Sequence, residues 1–272
     1  MRQGHRREGL PPFPGDPLRD VPVPSAYLLG DDEFGTAVLA EYATRVRGEF
    51  SDNPALKILK MAGGVVHGSN PFAVCLIDMI VRPRYRVATP VDLQAILASR
   101  GKSSFPEKMR GGYKDAALVL RTVSYPNVHI AQKLGGQVDV KMERPICIFL
   151  SGLQIVNDPE SPHGLCFKFT RDTRAFSAPV LDSPSGHFDN ANVEPGTGLP
   201  KSISGAGRYF YGMPEGLARF YLGRGSSIDT IWDELANSQA DGRIVIVDNI
   251  AKSEVVADYI RRLDRATSVL GE

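Results

Sequence analysis

The run from Leu217 to Leu270 restricts the fold more than any other part of the chain, because its apolar residues change spacing from one block to the next. Leu217–Leu222 is short and β-prone. Ile228, Ile231, Trp232 and Leu235 then recur at helical intervals. Arg243–Val247 is β-branched without alternation, the pattern of a strand covered on both faces. Val255, Val256, Tyr259, Ile260, Leu263, Ala266 and Leu270 form one stripe of a closing helix. The expected unit is βαβα, with Phe220 and Val245 on neighbouring parallel strands.

Upstream, the signals are mostly helical. Asp31 or Asp32 can cap a helix to about Arg47, with Phe34, Val38, Leu39, Tyr42 and Val46 on one face. A short helix is expected after Asn53-Pro54, ended by Gly63-Gly64. Ser69 is the expected cap of NPFAVCLIDMIV, which is apolar on nearly every side. Its Asp78 needs a partner if buried, and Arg82 lies one turn on. Thr89-Pro90-Val91-Asp92 is a helix start with threonine as cap, proline in the first turn and an acid at the third position. Ala116–Val123 fits either a strand or a short helix.

From Pro145 the character changes to short β-branched runs. Leu165, Phe167 and Phe169 alternate with Cys166 and Lys168, and turn-rich NDPESPHG precedes them, which suggests an antiparallel hairpin. Residues 180–207 form a long irregular segment. The chain therefore reads as α+β or α/β: a proline-rich tail over 1–25, a helix-rich part over 26–143, and a mixed β-sheet part over 144–272 closed by the C-terminal helix. Pro11, Pro12, Pro14, Pro17, Pro22 and Pro24 keep helix and central strand out of the tail.

Composition narrows function only by exclusion. Over 272 residues the net charge is +1, with 42% hydrophobic and 23% charged residues, as in ordinary globular proteins. Cys75, Cys147 and Cys166 are far apart and odd in number, which argues against a disulfide framework and a zinc site. No apolar run is long enough to span a bilayer, and the basic N-terminus has no apolar core of a secretory signal. A cytoplasmic, non-membrane protein is expected. No motif fixes a reaction, a cofactor or an oligomeric state.

Two candidate sites remain. Gly223-Arg224-Gly225-Ser226-Ser227 stands where the first strand would hand over to the helix. Glycines allow close backbone approach, a helix start offers unpaired amides, and Arg224 adds charge, all of which suit a phosphate- or carboxylate-bearing ligand. Asp248, at the end of the next parallel strand, would share the same rim. The loop departs from known fingerprints. Ile228 stands where a dinucleotide loop has its third glycine, and no Gly-Lys-Ser/Thr is present. The plainer alternative is a connecting turn.

The second candidate is a non-catalytic nucleic-acid or interaction surface over residues 82–121, which hold nine basic residues against three acids. Arg84, Arg86, Lys102, Lys108, Arg110, Lys114 and Arg121 would contact phosphates, with Tyr85, Phe105 and Tyr113 placed to stack on bases. Its plainer alternative is a solvated basic face. Asp182, His187, Asp189, Asn190 and Asn192 cluster in the long segment, but without HExxH or a second histidine nearby no metal is expected.

Overall fold

In a computed structural model of the chain, residues 26–30, 33–62, 65–98 and 109–248 are described. Strand β1 (Ala26–Leu28) leads into α1 (Glu33–Phe50) and a single 3-10 turn at Pro54–Leu56. The expected helix after Asn53 stops at that turn. Asn53 caps it by accepting from the Ala55 amide at 2.9 Å, and the chain then extends into the β2 (Leu59–Ala62) and β3 (Val65–His67) hairpin. Gly63-Gly64 lies outside the described residues.

Helix α2 (Pro71–Val81) has Asn70, not Ser69, as its cap: the Asn70 side chain accepts from the Ala73 amide at 2.9 Å. Ser69 instead donates to Asp115 at 2.6 Å. The helix is buried on nearly all sides, as its sequence requires, with Phe72, Leu76 and Ile77 fully covered. Each such side chain contributes roughly 1.5–3 kcal/mol. Asp78 is buried with them and is fully satisfied. It pairs with Arg82 at 2.6 Å and accepts from the amides of Val87 and Gly152 at 2.8 Å each.

β4 (Tyr85–Val87) precedes α3 (Pro90–Ala98), whose Thr89 and Asp92 exchange the bonds of a capping box. The ambiguous Ala116–Val123 run belongs to strand β5 (Lys114–Leu120), followed by α4 (Val128–Gly135).

The remaining strands are β6 (Ile146–Phe149), β7 (Gln154–Asn157), β8 (Leu165–Lys168), β9 (Ala175–Ser177), β10 (Gly186–Phe188), β11 (Arg208–Tyr211), β12 (Leu217–Leu222), β13 (Ile228–Asp229) and β14 (Val245–Asp248). β7 and β8 form the expected antiparallel hairpin. A seven-stranded mixed sheet has the order β10-β11-β13-β12-β5-β6-β9, and β1-β14-β4 form a separate three-stranded sheet. The class is α+β, with helices ahead of the sheet.

Side-chain alternation in the large sheet feeds two cores. Leu118, Leu120, Ile146, Ile148 and Leu217 join the cluster under α1, α2 and α4. Ala117, Val119, Cys147, Phe149 and Phe220 join the opposite cluster with Leu93 and Ile96 of α3. All three cysteines are buried free thiols. Among the described residues, no helix is long and apolar enough to cross a membrane.

The C-terminal βαβα reading requires correction. Leu217–Leu222 is a strand, but only a single distorted 3-10 turn at Arg224–Ser226, and no α-helix, follows it. The chain turns through Gly223–Ser227 and returns as β13, which pairs antiparallel with β12 and parallel with β11. A hairpin satisfies the backbone groups of both strands with a short turn, which the expected helix could not do in a slot already flanked by β11. β14 is buried on both faces as expected: Ile246 enters one cluster, Val245 and Val247 the other. Its neighbours are antiparallel β1 and β4, so Phe220 and Val245 lie in different sheets. The expected closing helix lies outside the described residues.

Candidate functional site

The turn between β12 and β13 is built by backbone geometry. The Gly223 amide donates to Ser227 O at 2.9 Å and the Ser226 amide to Gly223 O at 3.2 Å. Gly225 and Ser226 both have positive φ, at 68° and 71°. Gly225 meets that demand without a Cβ penalty, whereas Ser226 carries strain of about 1–3 kcal/mol.

This turn forms one wall of a cleft of about 180 Å³, lined also by Gln94, Leu97 and Ala98 of α3, by Arg110, Asn190 and Arg208. Arg208, the first residue of β11, is its centre. Its Nε donates to Ser226 O at 2.6 Å, and its Nη1 donates to Gln94 Oε1 at 2.5 Å and Asn190 Oδ1 at 3.1 Å. Its guanidinium lies 4.9 Å from the centre of the Phe188 ring. Its Nη2 is buried without a protein partner. Burial, and then the like charge of Arg110, bring the Arg208 pKa down to about 10.

Three other covered arginines are ion-paired. Arg219 meets Asp115 at 2.8 Å, Arg82 meets Asp78, and Arg86 meets Asp92. Arg121 is the parallel case: its Nη1 is also buried without a partner and no carboxylate pairs with it, but Leu181 O at 2.7 Å and Thr230 Oγ1 at 2.8 Å hold it and it does not line the cleft. Among the described residues, no carboxylate forms an ion pair with Arg208, and none lines its cleft. A buried cation without a counter-ion is costly, and an incoming anion removes that cost.

The expected site residues are only partly brought together. Gly225 and Ser226 line the cleft, while Gly223 and Ser227 close the turn behind them. Arg224 does not line it. Its side chain is 72% exposed and lies 3.2 Å from Asp241. Asp248 stands opposite Tyr85 in the three-stranded sheet, so the shared rim proposed for Arg224 and Asp248 does not exist. That rim depended on a parallel β12–β14 pair.

The basic stretch does not form one face. Lys114 is 2% exposed and donates to the carbonyls of Met109 and Gly112, and Arg121 is 4% exposed. Arg86 is engaged with Asp92. Arg84 and Arg110 are exposed, and Lys102 and Lys108 lie outside the described residues. In the long segment, Asp189 Oδ1 accepts from the Gly207 amide at 3.1 Å and Asn192 Nδ2 donates to Ser202 O at 2.8 Å. These residues hold the segment together, and Asn190 alone among them reaches the cleft.

Other polar clusters are internally satisfied. A larger cavity of about 390 Å³ includes Arg45, Arg82 and Arg171, each facing a carboxylate: Glu49, Asp78 and Asp172. His129, Asp158 and Glu160 place ligand atoms within 4.8 Å of one another, and a 2.8 Å bond joins His129 to Asp158. Arg208 and Gln94 were missed from sequence. They are separated by 114 residues, and no local pattern links them. Comparison of the chain with protein-family models, curated proteins and solved structures found no match.

Proposed function

We propose that this protein binds a small anion, bearing phosphate or carboxylate, in the cleft between α3 and the Gly223–Ser227 turn. The observation that carries the reading is the half-buried Arg208, whose covered Nη2 is unpartnered and whose cleft holds no carboxylate among the described residues. Arg208 would neutralise the ligand, Arg110 would add charge at the mouth, and Gln94 and Asn190 hold Arg208 in place. Arg224, bound to Asp241, would have no direct part. The three buried thiols fit a reducing compartment such as the cytoplasm.

A nucleic-acid partner would have to be met by Arg84, Arg110, Lys102 and Lys108, because Lys114 and Arg121 are buried. The small-anion reading has the stronger support, since Arg208 combines an unpartnered Nη2 with a cleft whose described lining has no carboxylate, and exposed cations need no ligand.

Thermal melts against a panel of phosphates, sulfate and carboxylates test it. An anion that binds the native state raises Tm. The shift is expected in the wild type and in Arg224→Ala, and it is expected to vanish in Arg208→Gln. An equal shift in Arg208→Gln would overturn the assignment.

A further inference from the structure

Resting on that anion-binding reading, we infer that the group held in the cleft is a doubly charged phosphate: inorganic phosphate or the phosphate end of a small monoester. Three observations lead there. First, the described lining carries two guanidiniums, Arg208 and Arg110, and no carboxylate. A dianion balances that pair, and a monocarboxylate leaves one charge over.

Second, the donors outnumber the two oxygens of a carboxylate. Arg208 offers its unpartnered Nη2, and Arg110 offers its guanidinium. Asn190 Oδ1 accepts from Arg208 Nη1, which leaves the Nδ2 end of the amide as a donor. Ser226 lines the same wall. A phosphate presents three strong acceptor oxygens on one centre, which matches a convergent set of this size.

Third, the cleft measures about 180 Å³. That is below the ~300–1,000 Å³ of sites that enclose drug-sized ligands. A whole nucleotide is too large, and a phosphate with a few carbons fits. Leu97 and Ala98 supply the short apolar wall such a fragment would touch.

The ligand's own ionisation separates this from other anions. A phosphomonoester takes its second charge with a pKa of about 6, so its dianion fraction rises roughly tenfold between pH 5 and pH 8. Sulfate is a tetrahedral dianion at both values. The charged groups around the cleft act in the opposite sense. Arg208 keeps its charge throughout. Lys114, behind the Met109–Gly112 turn, loses its charge near pH 7, and His187 stands against Tyr209. Asp189, Asp241 and Arg243 complete the surroundings. Protein titration alone would therefore favour anions at low pH, and the sulfate arm measures that contribution.

Isothermal titration of the full chain with inorganic phosphate, glycerol phosphate, sulfate and succinate at pH 5 and pH 8 decides the matter. The expected result is binding of both phosphates and of sulfate. Glycerol phosphate affinity should gain about tenfold on sulfate between pH 5 and pH 8, and inorganic phosphate, which takes its second charge at higher pH, should gain more, with each ligand weakened at least tenfold by Arg208→Gln and also by the exposed Arg110→Gln. Tighter binding of glycerol phosphate than of inorganic phosphate assigns the monoester, and the reverse assigns the free ion. Binding of succinate alone would overturn the phosphate inference and leave the anion site standing. No binding by any anion, or full affinity in both arginine variants, would overturn both.

Discussion

Lys114 shows what a single residue contributes to the energetics around this cleft. Its ammonium is buried beside β5 and donates to the carbonyls of Met109 and Gly112, which fixes the turn that presents Arg110. Burial first, and then the charge of Arg243, bring its pKa from 10.5 to about 7, with Asp241 pulling the other way. In the unfolded chain the same group stays protonated to about 10.4. Between pH 7 and pH 10.5 the unfolded state thus binds one more proton than the folded state, and stability rises with pH across that window. Below pH 7 both states are charged and the full cost of burying the cation is present. Urea denaturation from pH 6.5 to 10 should show this rise in the wild type and a flatter profile in Lys114→Met. An unchanged slope in the variant would place the titration elsewhere.

At the scale of the element, the β12–β13 hairpin decides where the candidate site lies. Ile228, Ile231, Trp232 and Leu235 have the spacing of a helix face, yet Ile228 and Leu235 are fully buried while Ile231 and Trp232 are 41% and 37% exposed. Spacing of four residues could not separate a helix from a strand end followed by an extended segment. Two glycines measure the backbone cost of such turns. Gly225 has φ +68° with open space where a Cβ would stand, so Gly225→Ala should cost about 1–2 kcal/mol from conformation alone. Gly152 has φ +91° and its Cβ would fall 2.5 Å from Asp172 O, so Gly152→Ala adds a backbone clash and should cost more. Equilibrium unfolding of the two variants checks the order. A larger loss at Gly225 would mean that the turn is more crowded than its geometry shows.

For the whole molecule, the boundary suggested near residue 143 by composition cuts through shared structure. β5 lies on one side of it, and both of its sheet partners, β6 and β12, lie on the other. Both hydrophobic clusters draw residues from both sides. Residues 1–143 and 144–272 expressed separately should each lack a cooperative thermal transition, because a fully buried seven-residue strand would lose both neighbours. A sharp melt from either fragment would show an independent domain.

Elements with local signals were legible from residue order. The buried α2, the capping box at Thr89, the Asp78–Arg82 pair, the β7–β8 hairpin and the two-sided burial of Arg243–Val247 all rest on residues a few positions apart. Their physics is short-ranged: a cap, a turn, or an alternation that repeats within one element. The α+β class followed from them. Only the tertiary structure decided which strands pair, because β14 could satisfy its backbone bonds equally well beside β12 or between β1 and β4, and nothing local chooses. For the same reason it alone brought Arg208, Gln94, Asn190 and Arg110 around Gly225 and Ser226, since long-range packing, not spacing along the chain, leaves the half-buried Arg208 without a counter-ion.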